Sequence, residues 1–96
     1  MDKTLYFINL FDYYGELLTK RQQDYFKDYY FNNLSLSEIA LNESVSRNAA
    51  YKQIKDAEGK LLHFEKILKL YENSIKIKNI IKNLDIETKE KIEKLI

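Results

Sequence analysis

The chain's 96 residues make one domain, small enough that most of its apolar surface has to be shared between neighbouring helices. The lack of proline, the mere two glycines and the wealth of Lys, Glu, Leu and Ile point to an all-α protein, and the lack of cysteine excludes a disulfide framework or a thiolate metal site. A net charge of +1 argues only weakly for nucleic acid, yet its placement is uneven: residues 1–43 carry four Lys or Arg against seven Asp or Glu, residues 44–59 three against two, and residues 60–96 nine against six.

Residues 4–14 have apolar side chains at Leu5, Ile8 and Phe11 and again at Leu10 and Tyr14, a helical spacing whose aromatics read as core. Gly15 is expected to end this helix as a left-handed cap, and Leu17 and Leu18 to hinge the chain into the next one. Thr19 and Gln22 form a capping box opening a helix over residues 20–31, with Tyr25, Phe26, Tyr29 and Tyr30 toward its neighbours. Lys20 and Arg21 stand at its start, where the helix dipole disfavours cations. They either reach outward to a phosphate backbone or mark a solvated helix start. Asn32-Asn33 is the stop.

Residues 34–57 read as a helix-turn-helix. Ser35 and Glu38 form a second capping box before a short helix carrying Leu36, Ile39 and Ala40. Asn42-Glu43-Ser44 supplies a polar turn, Val45 is the buried residue after it, and Ser46 caps a second helix. That helix has Ala49, Ala50, Ile54 and Ala57 on its apolar side and turns Arg47, Asn48, Tyr51, Lys52 and Lys55 outward. Ala40 is small where the two helices must approach closely. The helix-turn-helix domain is expected over residues 1–58.

Beyond it, residues 59–96 read as a long C-terminal helix and tail. Gly59 costs about 1 kcal/mol relative to Ala inside a helix and is a candidate kink. Leu61, Phe64, Leu68, Tyr71 and Ile75 step by 3, 4, 3 and 4, a coiled-coil-like seam with a second apolar stripe beside it at Ile67, Leu70, Ser74, Ile77, Ile81 and Leu84. A face this wide has to cover the chain's own N-terminal helices, a second subunit or both, so a homodimer is expected through the seam. Asn83-Leu84-Asp85 looks like a turn, with Asp85 capping a last helix that bears Ile86, Ile92, Leu95 and Ile96.

No catalytic constellation stands out. The one histidine, His63, lies between Leu62 and Phe64 without a second His or Cys nearby, a pattern that suits a helix surface better than a metal ligand or general base. Glu87–Lys91 and Glu90–Lys94 have the i, i+4 spacing of a solvated helix face. No enzyme, cofactor or metal is expected. No basic, apolar leader opens the chain and no apolar run approaches the roughly 20 residues that cross a bilayer, so the cytoplasm is the expected compartment. The binding signal is therefore the second helix of the motif. Arg and Asn can read guanine and adenine edges in a major groove, while Ser, Lys and Tyr can hold phosphates. The same pattern also serves proteins that bind only protein, so both kinds of partner stand at this point.

The aromatic–glycine corner Phe11-Asp12-Tyr13-Tyr14-Gly15, Leu18-Thr19 with Arg21-Gln22, and Tyr29-Tyr30 are followed by Leu34-Ser35-Leu36 and Glu38-Ile39-Ala40. Val45-Ser46-Arg47, Ala49, Tyr51, Ile54-Lys55 and Glu58 complete the series. In this order they resemble the YlxM family of small bacterial proteins over roughly residues 10–70; the core is also similar to region 4 of sigma factors. The tail after about residue 72 matches poorly, and Ala50 is smaller than the branched residue usual there. The resemblance implies an all-helical helix-turn-helix domain with a long C-terminal helix. It also implies a link to the signal recognition particle, because the family's genes typically lie beside that of the particle's GTPase.

The first expectation is thus a non-enzymatic regulator of the signal recognition particle pathway that binds the particle's RNA or GTPase and shifts its populations. The competing one is a transcription regulator that docks Arg47, Asn48 and Tyr51 in the major groove of DNA and sets Lys20, Arg21, Lys52 and Lys55 on phosphates.

Overall fold

A computed structural model of the chain describes residues 2–96. Six helices follow one another: α1 (Thr4–Tyr14), α2 (Lys20–Tyr30), α3 (Leu36–Glu43), α4 (Arg47–Leu68), α5 (Leu70–Ile81) and α6 (Ile86–Glu93), with a turn of 3-10 helix at Gly15–Leu17. Among the described residues there is no strand. No described helix is long and apolar enough to cross a membrane.

The central element is α4, because its buried side serves two cores in succession. Ala50 and Ile54 close over Tyr25 of α2 and Ile39 and Ala40 of α3, with Leu34, Leu36 and Val45 around them. One to three turns on, Ala57 and Leu61 meet Phe7, Leu10 and Tyr14 of α1 and Phe26 of α2. Small residues fall where helices come closest: Ala40, Ala50 and Ala57 are all buried. Ala50 thus fills its site without a branched side chain. The boundary expected at residues 58 and 59 falls inside α4, which runs straight through Gly59; a Cβ there would meet nothing within 4 Å.

The sequence places two local features slightly wrong. The buried face of α1 is Phe7, Leu10 and Tyr14, while Leu5 is 69% exposed and Ile8 and Phe11 are half-buried, so the packed stripe lies one step from the Leu5–Ile8–Phe11 row. Gly15 is not a left-handed cap: its φ is −56°. Glycine is required there for space, because a Cβ would stand 2.9 Å from the Phe11 ring. That ring in turn lies flat on Phe26, centroids 4.5 Å apart and planes 4° from parallel, an arrangement worth about 1 kcal/mol beyond its area.

The larger correction concerns the long helix. The chain does not run on as one helix from α4: Lys69 adopts a left-handed conformation, φ 55° and ψ 29°, and α5 starts in a new direction. The expected seam is divided accordingly. Leu61 is fully buried against the chain's own α1 and offers nothing to a second subunit, Phe64 and Tyr71 are half-buried around the same core, and Leu68 and Ile75 are about half exposed.

Candidate nucleic-acid interface

The two helices of the motif are set by short-range chemistry. Ser35 accepts from the Glu38 amide at 3.0 Å while the Glu38 carboxylate accepts from the Ser35 amide at 3.0 Å, so both halves of the capping box close. The bond from the Ser35 amide, followed by the Ser35 hydroxyl, holds the Glu38 carboxyl below its usual pKa. α3 continues through Asn42 and Glu43, which were expected in the turn. It ends at Ser44, left-handed at φ 55°, with the Ser44 amide donating to Leu41 (3.3 Å) and the Val45 amide to Ala40 (2.9 Å). This six-to-one closure is a Schellman motif, and it tucks Val45 against the core beneath both helices. Ser46 then caps α4, accepting from the Ala49 amide at 3.0 Å.

The first turns of α4 present the expected residues. Arg47, Asn48, Tyr51, Lys52 and Lys55 are all exposed, within an arc of about 140° at roughly 100° per residue. The buried Ala50 and Ile54 lie just beyond the Arg47 edge of that arc, Ile54 about 20° from Arg47 around the helix.

Their charge environments differ. Lys52 pairs with Asp56 at 3.0 Å. Lys55 bonds Glu58 at 3.2 Å and stands 5.5 Å from the centre of the Tyr51 ring, and the Glu58 carboxylate raises its pKa. On α2, Lys20 pairs with Asp24 at 2.6 Å and the Arg21 guanidinium lies over the Tyr25 ring at 5.8 Å. Arg47 and Asn48 have no side-chain hydrogen bond or ion pair among the described residues. The Lys20 and Lys52 pairs are exposed and therefore weak, so a phosphate can take either cation over. An acidic residue four positions on is the sequence signal for both pairings.

Glu58 links this face to the interior. Tyr30 of α2 donates its hydroxyl to the Glu58 carboxylate, and burial together with this bond pushes the Tyr30 pKa well above the ordinary phenol range. A second tyrosine–glutamate pair lies at the other end of α4. The Tyr14 hydroxyl donates to Glu65 Oε1 at 2.6 Å, and burial, followed by that bond, pushes the Tyr14 pKa up to about 12. His63 is exposed on α4. No group of three or more His, Cys, Asp or Glu among the described residues could hold a metal ion.

A short capped helix, a Schellman turn and a second capped helix over a shared core define a helix-turn-helix protein. The whole chain, residues 1–96, matches the model of the UPF0122 family, described as "Putative helix-turn-helix protein, YlxM / p13 like", and the chain belongs to that family. The match takes in the tail beyond residue 72, which the resemblance read from the sequence left out. The chain is 39% identical over 97 residues to a UPF0122 protein of Fusobacterium nucleatum, covering 100% of this chain and 94% of that one. It is 38% identical over 96 residues to UPF0122 protein YlxM of Bacillus subtilis, covering 97% and 87%. A shorter stretch of 60 residues is 53% identical to a UPF0122 protein of Malacoplasma penetrans, covering 62% of this chain and 56% of that one.

Proposed function

We propose that this protein is a non-enzymatic regulator that docks the first turns of α4 in the major groove of duplex DNA. Arg47 and Asn48 meet base edges, with Tyr51 beside them. Ser46, Lys52, Lys55, Lys20 and Arg21 hold phosphates on either side. The observation that carries this reading is that Arg47 and Asn48 stand side by side on the first exposed turn of a capped helix with no side-chain partner among the described residues. A guanidinium and a carboxamide held out in this way match the bidentate edges of guanine and adenine.

Selecting binders from a randomised duplex pool tests it. Arg47→Ala is expected to lose about 1–3 kcal/mol of discrimination at one base position. Lys52→Ala is expected to weaken all sequences alike and to lower the salt slope by about one. Equal enrichment of all sequences by the wild type and by Arg47→Ala would overturn base reading.

A second reading keeps the face and changes the partner. Leu41 on α3 is 81% exposed and Tyr51 is 47% exposed, an apolar contribution that suits a protein surface better than a phosphate backbone. On this reading the protein modulates the signal recognition particle pathway by binding its GTPase, as the family resemblance implies. Loss of GTPase binding in Leu41→Lys, with DNA unbound throughout, would establish it.

A further inference from the structure

Only one residue, Lys69, separates α4 from α5, and it occupies the left-handed region that L side chains avoid and glycine normally fills. The sequence on either side is written for one uninterrupted helix: Leu61, Phe64, Leu68, Tyr71 and Ile75 keep their 3-and-4 spacing straight through the bend.

The bend is held from outside the hinge. Glu65 reaches over from the last turns of α4 and accepts from the amides of Tyr71 (3.1 Å) and Glu72 (2.9 Å), while the Tyr14 hydroxyl, bonded to the same carboxylate, accepts from the Leu70 amide at 3.0 Å. Two side chains thus stand in for the missing N-cap of α5, which has none of its own. Straightening Lys69 would give each amide a carbonyl four residues back: Lys66 for Leu70, Ile67 for Tyr71 and Leu68 for Glu72. Bent and straight forms therefore satisfy the same backbone donors. They differ in what the arm packs on. In the bent form Tyr71 sits against Tyr6 and Tyr13 of α1, ring centres 5.8 Å and 6.3 Å away, and its hydroxyl accepts from the Asn9 carboxamide at 3.1 Å. A straight arm leaves both surfaces bare, and the side chains that fit the vacated face of α1 are those of the same arm on a second copy.

We propose that Lys69 is a hinge about which the α5–α6 arm is exchanged between two copies of this chain, giving a closed, domain-swapped dimer. Leu68 and Ile75, each about half exposed beside the hinge, are where the two straightened helices meet. The reading is independent of the partner assigned to the α4 face. It does place two copies of that face in one molecule, as paired half-sites require.

Sedimentation equilibrium on the full chain carrying Lys69→Gly or Lys69→Ala tests it, since the site is exposed and both variants keep the core. Glycine relieves the bend and favours the monomer; alanine favours the straight helix and the dimer. Both hinges straighten in each dimer, so the association constant is expected to be roughly thirty- to nine-hundred-fold larger for the alanine variant. Glu65→Gln, which weakens the latch, is expected to speed subunit exchange between donor- and acceptor-labelled dimers. Equal association constants for the two Lys69 variants, or monomers throughout, would overturn the proposal. So would a dimer indifferent to Lys69 but abolished by Ile75→Lys, since that is a face-to-face pair.

Discussion

The two ends of α4 are built on different principles. At its start every device is local: a Schellman turn at Ser44, a cap at Ser46 and a capping box one helix earlier, each closing within three to six residues. At its end the chain turns through Lys69, held by Tyr14, a residue 51 positions before its partner Glu65 in sequence. Local caps fix a helix end cheaply and hold one surface steady, which suits a face that reads another molecule. A latch made of two distant side chains can open as a unit, and it ties the bend to the packing of α1.

The comparison can be broken most severely at Glu65. Glu65→Ala removes the acceptor of three donors at once, and leaving the Tyr14 hydroxyl and two amides unpaired is expected to cost about 2–4 kcal/mol in denaturant unfolding at low protein concentration. A loss below about 1 kcal/mol would mean that the latch contributes no more than an ordinary cap.

Tyr14→Phe is the milder cut, expected to cost about 1–2 kcal/mol. It also has a pH signature. The folded-state pKa of Tyr14 lies above the unfolded value of 10.0, at about 12, so its contribution is fully present below pH 10 and is lost as pH rises toward 12. The wild type should lose stability across that window more steeply than Tyr14→Phe. Parallel curves for the two proteins would show that this hydroxyl does not titrate with unfolding.

At the opposite end, Ser46→Ala is expected to cost about 1 kcal/mol, a single lost cap. The smallest effect has the opposite sign. Gly59→Ala, in the exposed middle of α4 where an added Cβ meets nothing, is expected to stabilise by about 0.5–1 kcal/mol, read as a raised Tm.

The same contrast explains what could be read from the sequence. Thr19, Ser35, Ser46 and Asp85 all cap as their spacing implies, because a cap is decided by the few residues next to it. The second helix of the motif and its exposed face were legible for that reason. The break at Lys69 was not: no glycine, proline or cap marks it, and the apolar spacing continues across it, so only tertiary contacts from α1 reveal the bend. The turn between α3 and α4 was misplaced by two residues because Asn42 and Glu43 are polar but still helical. Their polarity reports exposure, not conformation. Gly15 shows the converse, a glycine chosen for the space beneath Phe11 where the sequence suggests a backbone role.

The account rests on the start of α4 being a nucleic-acid reader, and one titration tests that most directly. The protein and an Arg47→Ala/Lys52→Ala double variant are titrated against duplex DNA, the signal recognition particle's RNA and its GTPase at two salt concentrations. The predicted result is duplex binding that weakens steeply with salt and is lost in the double variant. Binding to the GTPase alone, unchanged by salt, would contradict it and make the helix-turn-helix a protein-recognition surface.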